Sequence, residues 1–176
     1  DKYLTTIWYD KAKEVVKIID QRLLPFDLKI VELKTLEDFC FAIKEMQVRG
    51  APLIGVTAAY GMYAASKTTK NFSELEKAGD SLKSTRPTAV NLSWAVDKII
   101  TAIKGMEKSN LQEIILSIAN EIRDQDIINC KAIGENGSKL IEKIYKKTQK
   151  KVNVLTHCNA GWLAAVDWGT ALAPIF

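Results

Sequence analysis

The sequence is poor in the residues that form disulfides and metal sites. It has three cysteines, Cys40, Cys130 and Cys158, and one histidine, His157. The cysteines lie far apart and form no Cys-x-x-Cys pair, so neither a disulfide framework nor a zinc site is indicated. Unpaired thiols are typical of a reducing compartment, and we therefore expect a cytoplasmic protein that binds no metal.

Long apolar runs are also missing. The longest apolar stretch, residues 51–65, is shorter than the roughly 20 residues that a spanning helix needs, and it contains tyrosine and threonine. Residues 1–4 do not resemble a signal peptide. We therefore expect a soluble chain with no membrane partner.

Neither charge nor glycine-rich motifs point to a nucleic acid or a nucleotide. The formal net charge is +4, with 47% hydrophobic and 26% charged residues, which is an ordinary globular balance. Lysines gather at residues 146–151 without interleaved aromatic residues, so a solvated helix face is favoured over a nucleic-acid site. Walker-type and dinucleotide-binding patterns are absent, and we expect no cofactor.

The sequence predicts a mostly helical chain that begins with a small β-hairpin. Two short β-type runs at residues 5–9 and 14–19 flank a turn. Apolar residues at helical spacing, together with N-cap residues, then predict five helices. They are expected at residues 36–48, 52–66, from 73, 88–104 and from 110, with a break near Gly134 and Gly137.

Polar pairs and prolines predict where these helices begin. Capping boxes are expected at Thr35 with Asp38, Ser73 with Glu76, and Asn110 with Glu113. Pro52 and Pro87 are expected in the first turns of the second and fourth helices, because the backbone N–H that proline lacks would have no partner inside the helix there. Gly55 and Gly61 lower the stability of the second helix, so we expect it to pack closely against another backbone.

The pattern changes at Lys151. Residues 152–156 form a β-type run that predicts a buried strand, and a helix-compatible stretch follows from Trp162. A lone strand needs partners, and parallel partners would have to come later in a longer chain. We therefore expect an α/β protein: a mostly helical domain at residues 1–148 and, at residues 149–176, the start of a truncated parallel-sheet domain.

Residues 157–161 are the first candidates for a ligand-binding or catalytic loop. Loops at the carboxyl ends of parallel strands bind ligands, and a cysteine at a helix N-terminus, as expected for Cys158, favours a reactive thiolate. A buried cysteine that acts as a small hydrophobe is the alternative. His157 is expected to be a core or hinge group rather than half of a dyad, because adjacent strand residues point to opposite faces.

Two arginines lie near predicted helix starts. Arg49 precedes Gly50 and Ala51, so a guanidinium would lie beside free backbone N–H groups, which is what phosphate recognition needs. Arg86 precedes Pro87 in a similar way. A surface arginine in a turn is the alternative in each case. Together with the cysteine loop, the two arginines indicate a site for an anionic small molecule.

Five motifs follow one another along the chain. They are Asp20-Gln21 with Leu24-Pro25, Val48-Arg49-Gly50-Ala51-Pro52-Leu53-Ile54-Gly55, Arg86-Pro87-Thr88-Ala89-Val90-Asn91-Leu92, Thr156-His157-Cys158-Asn159-Ala160-Gly161 and Gly169-Thr170-Ala171-Leu172. In this order and spacing they resemble the methylthioribose-1-phosphate isomerases, across essentially all 176 residues. That family shares a superfamily with ribose-1,5-bisphosphate isomerases and the regulatory subunits of translation initiation factor 2B.

The resemblance implies a helical N-terminal domain followed by a Rossmann-like domain, and a homodimer formed through the latter. It implies an aldose–ketose isomerase of methionine salvage that converts 5-methylthioribose 1-phosphate to 5-methylthioribulose 1-phosphate. It also implies site residues: Cys158 for catalysis, and Arg49, Gly50, Ala51, Arg86, Asn159, Ala160 and Gly161 for substrate binding. A catalytic aspartate would lie beyond residue 176, so we expect the chain alone to be inactive.

One departure from the family pattern leaves the substrate open. Residues 167–174 read Asp-Trp-Gly-Thr-Ala-Leu-Ala-Pro, where many members have Tyr-Gly-Thr-Ala-Leu-Gly. A related 5-deoxyribose 1-phosphate and ribose 1,5-bisphosphate are alternative substrates. A non-catalytic regulatory subunit that senses a sugar phosphate or nucleotide is the alternative outside enzymes.

Overall fold

The computed structural model describes residues 4–106 and 110–175. The chain is mixed α/β and mostly helical. Three strands come first, followed by five α-helices and two short 3₁₀ segments. Their bounds are β1 Ile7–Asp10, β2 Val15–Ile19, β3 Ile30–Leu33, α1 Leu36–Lys44, α2 Ala51–Ser66, α3 Phe72–Thr85, α4 Val90–Ile103, α5 Leu111–Thr148, and the 3₁₀ segments Trp162–Ala164 and Thr170–Ile175.

The strands form one antiparallel sheet in the order β1-β2-β3. The predicted hairpin is confirmed, with Ile7 opposite Ile18 in its ladder. The third strand was not predicted, and it places Leu33 opposite Val16. These four side chains are buried and join the main hydrophobic core, so one face of the sheet covers the helices.

Helix α2 is the centre of the fold, because every residue from Leu53 to Ser66 is buried. The predicted close packing is confirmed at its glycines. A Cβ atom at Gly55 would lie 3.0 Å from the carbonyl oxygen of Asn91 in α4, and one at Gly61 would lie 2.9 Å from Leu82 in α3. The missing side chains therefore allow the neighbouring helices to approach α2 closely.

The helix starts agree only in part with the prediction. The capping box of Thr35 with Asp38 is present at α1. At α3 the cap is Asn71, whose side chain accepts the N–H of Glu74, so Ser73 is not the cap. At α5, Asn110 makes no side-chain cap hydrogen bond. Helix α4 begins at Val90, so the prediction that Pro87 starts it is wrong.

The predicted break in α5 is also wrong, since the helix is continuous through Gly134 and Gly137. A Cβ atom at Gly134 would lie 3.0 Å from the carbonyl oxygen of Ala173, and one at Gly137 would overlap Pro174. Both glycines therefore let the final 3₁₀ segment pack against the helix. Their role is close approach rather than helix termination.

The predicted strand at residues 152–156 does not form in the described chain. Leu155 is 96% exposed and Val154 is about half exposed. A β-type run needs a hydrogen-bonding neighbour, and the three observed strands pair only with one another. The predicted helix from Trp162 is a single 3₁₀ turn.

None of the helices in the described part of the chain is long and apolar enough to cross a membrane.

Asp20, in the loop after β2, is buried and fully paired. It is 2% exposed, and its carboxylate accepts hydrogen bonds from the Arg22 guanidinium at 2.7 and 2.9 Å. The side-chain amide of Gln47 donates a further bond of 2.8 Å. The Arg22 guanidinium, against the opposing effect of burial, lowers the pKa of Asp20 to about 2.

This lowered pKa predicts an acid-dependent loss of stability. The stabilisation is complete above the usual pKa of 3.8 and is lost as the pH falls through about 2. We expect Asp20→Asn to lower the free energy of unfolding by about 2 kcal/mol at pH 7 and by about 1 kcal/mol near pH 3, measured by urea denaturation. Asp27→Asn, at an exposed position of the same loop, should change both values little. An equal loss at both pH values would contradict the prediction.

Candidate functional site

Residues 161–170, called here the docked segment, are hydrogen-bonded to two distant parts of the chain near the sheet. The Gln21 side-chain amide donates to the carbonyl of Leu163 at 2.7 Å. The hydroxyl of Thr6 donates to the carbonyl of Ala165 at 2.6 Å, and its backbone N–H donates to Val166 at 3.1 Å. The loop after β2 and the start of β1 therefore hold the segment in place.

Gly50 brings the arginine-glycine motif against the docked segment. It is the N-cap of α2 with a φ of 92°, a conformation that favours glycine. A Cβ atom there would overlap the carbonyl oxygen and Cα of Ala164. Gly161 and Gly169 touch in the same way, because a Cβ atom at Gly169 would overlap the carbonyl group of Gly161.

An open cleft of about 490 Å³ lies between the starts of α2 and α4 and the middle of α5. Pro52, Asn91 and Thr170 line it, and each comes from a different motif. The Asp20-Gln21 motif contacts the docked segment at Leu163, and the cysteine-loop motif ends at Gly161, the first residue of that segment. Three motifs therefore line the cleft, and the other two meet at the docked segment.

Arg49 and Arg86 precede cleft-lining residues in the chain, but neither is among the described residues that line the cleft. Arg49 and Ala51 are exposed on either side of buried Gly50, and Arg86 is half-buried at the end of α3. In the described part of the chain, neither guanidinium is in an ion pair. The first-turn N–H groups of α2 have no partners inside the helix, so the start of α2 suits an anion.

The cysteine loop is only partly brought to the cleft. Gly161 is buried and Ala160 half-buried, whereas Cys158 and Asn159 are exposed. Cys158 is not among the described residues that line the cleft. His157 is exposed as well, so the prediction that it is a core group is wrong, while the hinge alternative stays a prediction. The loop lacks cover because residues 152–156 have no strand neighbour in the described chain.

Two functional groups in the cleft were missed by the sequence analysis. Asp126 and Cys130 lie one turn apart on α5, and the thiol donates to the carboxylate across 3.8 Å. Burial raises the pKa of Asp126 and, with the help of that carboxylate, raises the pKa of Cys130 to about 11. Cys130 is therefore a protonated thiol at neutral pH. Their spacing of four residues was the available signal, but it does not show which helix face lines a cleft.

No group of three His, Cys, Asp or Glu side chains within residues 4–106 and 110–175 is placed to hold a metal ion.

The contact between Gly50 and Ala164 generates a prediction. We expect Gly50→Ala to lower the free energy of unfolding by more than about 2 kcal/mol, because a left-handed alanine and a backbone overlap are both unfavourable. Gly105→Ala is the matched control. Gly105 has a φ of 79°, but its Cβ would meet no described atom within 4 Å, so a loss of about 1 kcal/mol is expected there. Equal losses in urea denaturation would show that Ala164 does not require a glycine.

The chain has relatives among known proteins. Residues 47–172 match the Initiation factor 2 subunit family. The chain is similar to methylthioribose-1-phosphate isomerases. It is 47% identical to the one from Methylorubrum extorquens, over 97% of this chain and 47% of the relative. It is 44% identical to the Escherichia coli O45:K1 protein, over 99% and 48%. The chain therefore spans about half the length of the curated relatives it matches.

Two solved structures share the fold. One is the translation initiation factor eIF-2B subunit delta from A. fulgidus, with a TM-score of 0.81 and 36% identity over 98% of this chain and 50% of that chain. The other is 5-methylthioribose 1-phosphate isomerase from Pyrococcus horikoshii, with a TM-score of 0.81 and 35% identity over 98% and 48%. On the sequence match and the shared architecture, the chain belongs to the Initiation factor 2 subunit family.

Proposed function

We propose that this chain supplies the N-terminal part of a cytoplasmic methylthioribose-1-phosphate isomerase of methionine salvage. The longer enzyme, a protein of the relatives' length that carries this chain, converts 5-methylthioribose 1-phosphate to 5-methylthioribulose 1-phosphate. The meeting of the motifs at the cleft and the docked segment carries the proposal, because three motifs line the cleft while Gln21 and Gly50 contact the docked segment. The isomerase names of relatives at 44–47% identity support it.

The reaction is an internal redox shift in which hydrogen moves from C2 to C1. The anomeric oxygen carries the phosphate, so the ring cannot open as it does in a free aldose. The enzyme must stabilise an opened, phosphate-bearing intermediate, and preorganised electrostatic groups are the main means of doing so. Cys158 stabilises the transition state or transfers a proton, and an aspartate beyond residue 176 acts as the general acid–base.

Substrate binding follows from the chemistry of the cleft. Arg49, Arg86 and the backbone N–H groups near Gly50 and Ala51 hold the phosphate, and the amides of residues 159–161 hold the phosphate or sugar. The cleft is lined partly by apolar side chains, among them Val56, Trp94 and Ile122. This lining suits the apolar methylthio group of the proposed substrate.

The domain division belongs to the same proposal. Residues 1–148 form the helical domain, and residues 149–176 begin a Rossmann-like domain in which residues 152–156 become a paired strand. The exposure of Val154 and Leu155 supports this, since both side chains are available for burial against later strands. The longer enzyme forms a homodimer through that domain.

A second candidate is a non-catalytic regulatory subunit that senses a sugar phosphate or nucleotide. The equal TM-score of 0.81 to the initiation factor subunit favours it. Cys158 argues for the isomerase, because a sensor needs no thiol in that loop. The unusual sequence of residues 167–174 keeps 5-deoxyribose 1-phosphate and ribose 1,5-bisphosphate as alternative substrates of an isomerase.

Turnover of 5-methylthioribose 1-phosphate tests the proposal, with NMR detection of the ketose product. We expect the longer enzyme to be active and the 176-residue chain to be inactive, because the chain spans only about half the length of the isomerases it resembles. Binding of the sugar phosphate without turnover, in a folded longer protein, would favour the sensor. Turnover of 5-deoxyribose 1-phosphate or ribose 1,5-bisphosphate alone would change the assigned substrate.

Cys158 has its own test in the longer enzyme. We expect Cys158→Ser to lower kcat by about 100-fold or more, since a positioned proton-transfer group contributes that much to the rate. Cys40→Ala is the control, because Cys40 packs against the core through α1 and lies outside the proposed site. Near-normal turnover by Cys158→Ser would remove Cys158 from the mechanism.

A further inference from the structure

A backbone N–H of the docked segment donates a hydrogen bond to the wall of the cleft itself. Oδ2 of Asp126, in the middle of α5, accepts the N–H of Val166 at 2.7 Å. Val166 is 0% exposed, so its N–H cannot turn to water if this acceptor is lost. A buried N–H without a partner is costly, and the segment would have to move to satisfy it.

The second carboxylate oxygen is also engaged within the protein. Oδ1 of Asp126 accepts the thiol of Cys130, which is protonated at neutral pH. Asp167 is the other acidic group close to Asp126, and it raises the pKa of Asp126 further. With both oxygens held by protein donors, Asp126 is arranged to fix a position rather than to take a proton from a ligand.

Asp126 differs from the other side chains that hold the docked segment. Gln21 and Thr6 donate to carbonyl groups of the segment from the side of the sheet. Asp126 is the acceptor for one of its N–H groups, and it also lines the cleft together with Thr170 of the same segment. A shift at Val166 therefore displaces residues on both sides of it, including the contact of Ala164 with Gly50.

We propose that Asp126 is a positioning residue of the reaction, which holds the docked segment, and with it the cysteine loop, in register with the cleft through the N–H of Val166. The proposal rests on the proposed isomerase function and deepens it. Asp126 acts on the reaction through the backbone of Val166, which it holds. For this role the hydrogen-bond acceptor oxygen of its side chain matters more than the negative charge. Asn retains such an oxygen, whereas Ala does not, and this difference separates positioning from acid–base chemistry.

Amide hydrogen exchange in the 176-residue chain tests the contact without any substrate. We expect Asp126→Ala to speed exchange at Val166 by about 10-fold or more relative to Ala59 of the buried helix α2, while Asp126→Asn stays within about threefold of the unmodified chain. Ala59 reports global unfolding, so the ratio remains meaningful if a variant is less stable. Equal acceleration at both amides, or none at Val166, would overturn the proposal.

Steady-state kinetics of the longer enzyme test the consequence. We expect Asp126→Ala to lower kcat by about 10- to 100-fold with KM changed by less than about threefold, because the reacting groups are misplaced, and Asp126→Asn to keep kcat within about threefold. Asp124→Ala is the matched control, since exposed Asp124 lies two residues away and bonds to Arg123. Loss of kcat in Asp126→Asn equal to that in Asp126→Ala would assign the charge a chemical role and overturn positioning.

The two experiments separate this proposal from the isomerase assignment. If the unmodified longer enzyme turns over none of the three sugar phosphates, the isomerase assignment fails and the exchange ratio at Val166 still decides whether Asp126 holds the segment. If exchange responds as expected but Asp126→Ala retains full kcat in an active enzyme, the contact is structural only and the positioning role is wrong.

Discussion

The close approach of Gly50 to Ala164 is the constraint on which the candidate site depends. It leaves no room for a Cβ atom, and it joins the first residue before α2 to the docked segment. Because α2 is buried along nearly its whole length, its start cannot shift without disturbing the core. The docked segment therefore takes its position from a helix that is buried along nearly its whole length.

Distant residues rather than sheet pairing satisfy buried polar groups of the docked segment. Its backbone is irregular, so these groups need partners from elsewhere, among them Gln21, Thr6 and Asp126. The backbone N–H of Gln21 donates in turn to the carbonyl of Gln47, whose side-chain amide donates to the buried carboxylate of Asp20. A loop next to the sheet and a helix across the core thus meet at one short segment.

The relatives show that this architecture serves more than one purpose. An isomerase and an initiation factor subunit share it with the same TM-score, so function must be argued from side chains at the site. Here the arginine beside Gly50 and the thiol of Cys158 are both exposed.

The sequence by itself determined the features that depend on neighbouring residues. Three features could be predicted because caps and periodicities act over a few positions: the hairpin, the capping box at Thr35 and the small-residue packing of α2. The order of the five motifs could be read directly from the sequence. Tertiary structure decided the rest. Gly134 continues a helix because Ala173 packs there, residues 152–156 stay unpaired because none of the described strands lies beside them, and Asp126 enters the site because α5 turns that face toward the cleft. Each of these outcomes depends on a partner far away in the chain, which no local pattern specifies.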